Sequence, residues 1–378
     1  MTHTPTRYGI IGSGMMGQEH IKNIALLSGA RVGAVYEPNA EMAALTRTLT
    51  DAPVVDSLDA LLNVPGLDAL VIASPNHCHV DQMEAVAARR PLPLLVEKPL
   101  FTDPTDTARI EAFGARYPAP VWVAMEYRYM PPVAALIEAA DDVTGGITML
   151  TIREHRFPFL NKVGHWNRFN RYTGGTLVEK CCHFFDLMRL ILRAEPVRVM
   201  ASGSQAANHL SERYDGEAPD ILDNAYVIVD FDNGARAMLE LCMFAEGSRY
   251  QEELTAVGPS GKIEALVPGP SRFWPADLGA PPTAQLIVSP RAPKGPRVQP
   301  VPVDPALLDA GDHNGSTFYQ HQSFLALLRG EASAPAVSLH DGMMAVRMGH
   351  AAQESIATGR TVTLPANAPD PRLQAVAG

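Results

Sequence analysis

In the run GGTLVEKCCHFFD at 174–186, an acid, Glu179, stands four residues before a histidine, His183, with Cys181 and Cys182 between them. These residue types suit a metal site, a thiol redox site or a proton-transfer pair, or they are incidental to a core helix. If a helix reaches back to Glu179, a spacing of four puts carboxylate and imidazole on one face within hydrogen-bonding reach, with Asp186 on roughly the same side. A neutral imidazole has the basicity to take a hydroxyl proton near pH 7, and a carboxylate beside it would orient the ring and stabilise the imidazolium. Adjacent cysteines on a helix point about 100° apart and mostly serve as small apolar packing, so zinc through Cys-Cys-His is not expected. A second candidate is Lys98 in Glu97-Lys98-Pro99, a cation able to stabilise developing alkoxide charge in a dry cleft.

The elements that must position these groups are readable from periodicity. Short β-rich runs at 8–11, 31–36, 69–73, 94–96 and 121–124 alternate with helical patterns such as 17–28 and 79–90. That order implies βαβ units and a parallel sheet, an α/β Rossmann domain over 1–126. Directly after the first run comes Gly12-Ser13-Gly14-Met15-Met16-Gly17, a G-x-G-x-x-G turn that lets backbone approach a pyrophosphate at a helix start. Glu37 follows 20 residues after Gly17, at the end of the second run. It is placed to accept ribose hydroxyls and to repel a 2′-phosphate, and no basic residue follows in Pro38-Asn39-Ala40, so NAD is expected over NADP. Ligands of such sheets lie beyond the carboxyl ends of the strands. The loops Ser74-Pro75-Asn76-His77-Cys78-His79 and Glu97-Lys98-Pro99 are therefore expected to face the cofactor, through Ser74, Asn76, His79, Glu97 and Lys98. The spacing of His77, Cys78 and His79 fits no common zinc pattern, and no metal is expected.

From about residue 127 the pattern changes to hairpins. The runs 226–231 and 235–244 flank Asp232-Asn233-Gly234, and 252–257 and 262–266 flank Gly258-Pro259-Ser260-Gly261. A second α+β domain over 127–378, with a largely antiparallel open sheet and helices at 182–193 and 316–329, is expected. The proline-rich stretch 266–305 reads as a long surface excursion.

Composition narrows the function. The chain of 378 residues is 46% hydrophobic and 19% charged, which is globular. A net charge of -10 argues against nucleic acid, and no apolar run approaches the roughly 20 residues that span a bilayer. The N-terminus lacks a basic leader pattern, and four cysteines, two of them adjacent, make no disulfide framework. A reduced cytoplasmic protein is expected.

Taken together, GSGMMG, SPNHCH, EKP, EYRYMPP at 126–132, GGTLVEKCCHFFD and the C-terminal VSLHDGMMAVRMGHAAQESIATGRTV resemble the Gfo/Idh/MocA family of NAD(P)-dependent sugar and cyclitol oxidoreductases. The resemblance implies catalysis by Lys98 and His183 with Glu179, and a homodimer or homotetramer. The family's pattern in the second motif is like G-G-G-x-L-x-D-x-G-x-H-x-x-D. Here Thr176 replaces the third glycine, Glu179 the aspartate and Cys181 the internal glycine. The family motifs leave 151–172 unexplained, TIREHRFPFLNKVGHWNRFNRY, with five cations (Arg153, Arg156, Lys162, Arg168, Arg171) against one acid. Either it is a solvated, salt-bridged stretch, or some cations meet an anionic group on the substrate while an aromatic such as Trp166 stacks on a sugar face. The expected reaction is hydride transfer at a ring carbon of an anionic sugar. Two alternatives stand beside it. One is an NAD-dependent glycosidase acting by transient oxidation at ring carbon 3, for instance on a sulfoquinovoside, which needs another base; Tyr127, His155, His165 and His321 are candidates. The other is a non-catalytic sensor, which would need neither Lys98 nor His183.

Overall fold

The computed structural model describes residues 4–365, so the last stretch of the expected second domain, 366–378, lies outside the described residues. β1 (Thr6–Ile11), β2 (Ala30–Tyr36), β3 (Val54–Val55), β4 (Ala69–Ile72), β5 (Leu94–Glu97) and β6 (Val121–Ala124) form one parallel sheet in the order β3-β2-β1-β4-β5-β6. Every residue of β4, β5 and β6 is buried, as continuous apolar strands covered on both faces must be. The connections run through α1 (Met15–Leu26), α2 (Ala40–Leu49), α3 (Leu58–Leu62), α4 (His79–Arg89) and α5 (Thr107–Arg116). Strand order reverses between β1 and β4, which makes their carboxyl ends the crevice where ligands of such sheets bind.

α6 (Pro131–Thr144) leads into a nine-stranded mixed sheet. Its strands are β7 (Met149–His155), β8 (Pro196–Ser204), β9 (Asn224–Phe231), β10 (Arg236–Cys242), β11 (Glu252–Gly258), β12 (Gly261–Val267), β13 (Gln285–Pro290), β14 (Arg297–Pro300) and β15 (Val362–Thr363). Their order is β14-β13-β12-β11-β7-β10-β9-β8-β15, antiparallel throughout except for the parallel pair β7 and β10. Both expected hairpins form, β9 with β10 and β11 with β12. The stretch 266–305 is more than an excursion: it supplies β13 and β14 at the sheet edge, where prolines at strand ends cost no ladder bond. The helices of this half are α7 (Asn170–Thr173), α8 (Thr176–Glu179), α9 (Cys182–Leu192), α10 (Pro305–Ala310), α11 (Ser316–Leu328) and α12 (Leu339–Thr358). α12, started by a capping box of Ser338 and Asp341, packs on α9 and β8, while α11 returns to pack on α1. One continuous apolar core therefore runs from Tyr8 through Trp122 and Phe184 to Val346.

Candidate active site

The glycine loop closes tightly on α1. A Cβ on Gly17 would lie 2.2 Å from the Gly12 carbonyl oxygen, so only glycine lets helix and loop approach this closely. In front of Gly14 there is open space, and α1 begins with no side-chain cap, leaving the N–H groups at Met15, Met16 and Gly17 for an outside acceptor. Glu37 braces the loop, its Oε2 accepting the Ser13 N–H at 2.7 Å and its Oε1 the Asn39 N–H at 2.8 Å. Beyond β4, Asn76 is buried and its Nδ2 has no partner, while Ser74 is tied to Gln82. An uncapped helix start, an open cradle and a buried orphan donor fit a dinucleotide, with Glu37 at its ribose end.

Two of the residues expected to contact the cofactor turn inward instead. His79 is fully buried, with Nδ1 2.9 Å from the Pro99 carbonyl oxygen and Nε2 3.1 Å from that of Ser74, so it braces the two loops against each other. Glu97 Oε1 lies 2.9 Å from His20 Nε2, and His20 Nδ1 lies 2.8 Å from His321 Nε2. His321 thus belongs to a buried brace behind Glu97, where α11 packs on α1, with its Nε2 turned to His20. His20 had no signal in the sequence beyond its place on α1.

Lys98, next in the chain, points the other way. Its Nζ donates to the main-chain oxygen of Glu179 at 3.1 Å, joining the end of β5 to the segment that carries His183. Burial disfavours the Lys98 charge, but the surrounding carboxylates of Glu97, Glu126 and Glu179 oppose it, and its pKa lies above the ordinary value.

The Glu179–His183 pair does not form. α8 ends at Glu179 and α9 begins at Cys182, so the helix is interrupted and the spacing of four no longer stacks the two side chains. Glu179 Oε1 instead meets Lys162 Nζ at 3.4 Å, and its Oε2 has no partner. His183 is clamped by the turn Glu126–Tyr129. The Tyr127 ring stacks on it at 4.0 Å and 4°, and Glu126 Oε1 lies 3.7 Å from its Nε2. Arg128 of this turn donates to the buried Asp186 of α9, locking turn and helix together. Burial, then the cations Lys98, Lys180, His313 and Arg156, push the His183 pKa well below its ordinary value, so the ring is a neutral base. The Tyr127 hydroxyl accepts from Lys180, whose Nζ also lies 2.8 Å from Glu154 Oε1. Sequence reasoning missed Glu126, Lys180, Glu154 and His313. Burial pushes the Cys182 thiol up to about 12, so no thiolate forms there.

The basic stretch divides. β7 alternates, so Glu154 faces the core while Arg153 and His155 lie on the opposite face, paired with Glu253 and, at 2.9 Å, with Glu240. Arg168 is buried against Glu212 and Asn161, Arg171 pairs with Glu217, and His165 stacks on Tyr214 at 4.3 Å. None of these five reaches His183. Arg156 and Lys162 do belong to its surroundings. Arg156 lies 3.9 Å from Glu154 Oε1, also acts on the Glu252 carboxylate, and lies over Phe157 and Phe159, and Lys162 Nζ sits 4.5 Å above the Trp166 ring. Trp166 and Tyr172 in turn meet His77 of the cofactor-side loop.

Comparison with known proteins agrees with this two-part architecture. Residues 6–125 match the oxidoreductase-family NAD-binding Rossmann fold, and residues 139–364 match the same family's C-terminal alpha/beta domain. The rhizopine catabolism protein MocA of Rhizobium meliloti is 25% identical over 72% of this chain and 81% of its own length. Myo-inositol 2-dehydrogenase of Thermotoga maritima is 23% identical over 95% of this chain and 98% of its own. Among solved structures, an oxidoreductase from Agrobacterium radiobacter in complex with NAD+, L-tartaric acid and magnesium superposes with a TM-score of 0.76 at 18% identity, covering 95% of this chain and 98% of that one.

Proposed function

The chain belongs to the Gfo/Idh/MocA oxidoreductase family, and on that premise we propose that it transfers hydride between NAD and a ring carbon of a sugar or cyclitol bearing an anionic group. The observation that carries the reading is the meeting of the Lys98 ammonium with the Glu179 main chain, in the segment that presents a buried, neutral His183. NAD, when bound, supplies the hydride acceptor or donor, held by Gly12, Gly14, Met15, Met16, Gly17, Glu37 and Asn76. His183 takes the hydroxyl proton as hydride leaves, since an alcohol carbon gives up hydride readily only when the proton departs with it. Lys98 stabilises the developing oxyanion in a site from which water is excluded. Glu179 acts through Lys162 and the Lys98 contact rather than by orienting the imidazole.

The anionic group is assigned to Arg156 and Lys162, because these two lie around His183 with looser acid contacts, 3.9 Å to Glu154 and 3.4 Å to Glu179, whereas Arg153, Arg168 and Arg171 are paired with acids away from it. A charge-assisted hydrogen bond contributes about 1.5–3 kcal/mol, so Arg156→Met or Lys162→Met should weaken an anionic substrate by roughly 10- to 150-fold. The neutral parent sugar should hardly be affected. A wild-type preference for the neutral sugar would sink this assignment.

Glycoside hydrolysis by transient oxidation at ring carbon 3 is a second reading, favoured by the Tyr127–Lys180 pair beside His183. In that scheme the carbon 2 proton passes to the unpartnered Glu179 Oε2 as the aglycone is eliminated, water adds, and the carbonyl is reduced again. Burial holds Tyr127 protonated, so it is not the base expected of it, and its proton is instead available to the leaving group. Incubating the protein with sulfonated, carboxylated and neutral sugars and their glycosides, while following both NADH absorbance and released aglycone, separates the readings. Net NADH supports dehydrogenation, and aglycone without net NADH supports hydrolysis.

A further inference from the structure

We infer that Glu126 is the group that receives, through the His183 ring, the proton withdrawn from the substrate, with His313 holding that carboxylate in place. The inference rests on the reading of His183 as the base. Glu126 opens the turn after β6, is fully buried, and neither of its carboxylate oxygens has a hydrogen-bond partner. A carboxylate left unpaired in the interior costs several kcal/mol, more than incidental packing tolerates. Two imidazoles converge on Oε1, His183 Nε2 at 3.7 Å and His313 Nε2 at 3.9 Å. His313 is fixed from behind by Glu19, whose Oε1 lies 2.8 Å from its Nδ1. The other ring nitrogen of His183, Nδ1, is buried without a partner and free to meet a substrate hydroxyl.

The step balances. The substrate O–H proton goes to His183 Nδ1, and the proton on His183 Nε2 passes to Glu126 Oε1. The hydroxyl electron pair is left to form the carbonyl as hydride departs to the nicotinamide. Imidazole stays neutral at both ends of the step, and the charge change falls on Glu126.

The groups facing Glu126 are Glu97 and Lys98 from the end of β5, Cys182 and His183 from α9, Tyr127 beside it, and His313 from the loop before α11. Burial first and Glu97 next raise its pKa to about 7, against the pull of His313 and Lys98. His183 is held far lower, so of the two, Glu126 is the stronger base.

Glu126→Gln and Glu126→Asp test this with two readouts. Burial also raises Glu252 to about 7, so infrared difference titration without substrate is run in a Glu252→Gln background, where the remaining carboxyl band that titrates near neutrality should vanish on adding E126Q. The kcat/KM profile on the sugar substrate should rise through pH 7 in wild type, as Glu126 ionises. E126Q should lose that limb and about 100-fold in rate, whereas E126D should regain the limb with partial rate. Calorimetric NAD binding verifies that both variants are folded. A titrating band that survives in the E126Q and Glu252→Gln double variant, or an E126Q protein with the wild-type limb and rate, overturns the inference. Because the infrared titration needs no substrate, it decides on Glu126 even if no sugar is oxidised, an outcome that would count against the proposed function alone.

Discussion

At the scale of single residues, chemistry type was legible and pairing was not. Lys98 could be singled out because it ends a strand, and His183 because its motif is dense in polar groups. That Glu179 would partner Lys162 rather than His183 depends on the helix break at 180–181, and nothing in VEKCCH marks a break. Glu126 was hidden for a different reason. Alone in EYRY it is one acid among many, and only the fold removes its solvent and its partners. The division of labour is testable. His183→Ala should lose on the order of 100-fold or more in turnover while NAD binding, measured by calorimetry, survives. Cys182→Ala should be nearly silent, since its thiol is protonated and its one polar contact is a 3.7 Å approach to the Glu179 carbonyl oxygen. A fully active His183→Ala protein would mean that the base lies elsewhere.

At the scale of elements, regular periodicity carried most of the reading. The first sheet followed from apolar runs spaced by helices, and both hairpins from their turn residues. β7 was obscured because its alternation runs through Arg153, Glu154 and His155, which read as a charged stretch. The same alternation sends two of those side chains away from the site. Positioning of α8 depends on Gly175, whose φ of 90° and ψ of 164° suit only glycine and whose absent Cβ would lie 1.8 Å from Gln353 Oε1 of α12. Gln353 can swing aside, but the backbone cannot relax without moving α8. Gly175→Ala should therefore cost about 1–3 kcal/mol in urea unfolding. It should also lower kcat, since the segment bonded to Lys98 shifts with α8. A wild-type unfolding midpoint in this variant would show that α8 is held by other contacts.

At the scale of the whole molecule, the two sheets are joined by α11 on α1 and by the ion pair of Glu19 with His313. Burial works against the Glu19 charge, but His313, Thr317 and the Asp312 N–H outweigh it and bring the pKa from 4.5 to about 2. Burial also works against the imidazolium, yet Glu19 and Glu126 raise His313 from 6.5 to about 9. The Glu19 contribution is thus present above pH 4.5 and lost as pH falls through 2, and that of His313 is complete below 6.5 and lost as pH rises through 9. The excess melting temperature of wild type over Glu19→Gln should peak between pH 4.5 and 6.5 and shrink on both sides; a difference constant with pH would exclude this linkage. The parallel pairing of β7 with β10 has a consequence in time. Met149 pairs with Arg236 and Val257, so a growing chain emerging from a ribosome completes its first sheet at β6 and then carries β7 with no ladder on either side. The entire run from Arg153 to His183 leaves the exit tunnel before the strands that flank β7 exist. The ladder of the first sheet can therefore form, with its α1 face waiting for α11, while the second sheet is still an open chain, and a translational pause after β6 would favour orderly assembly of the second sheet.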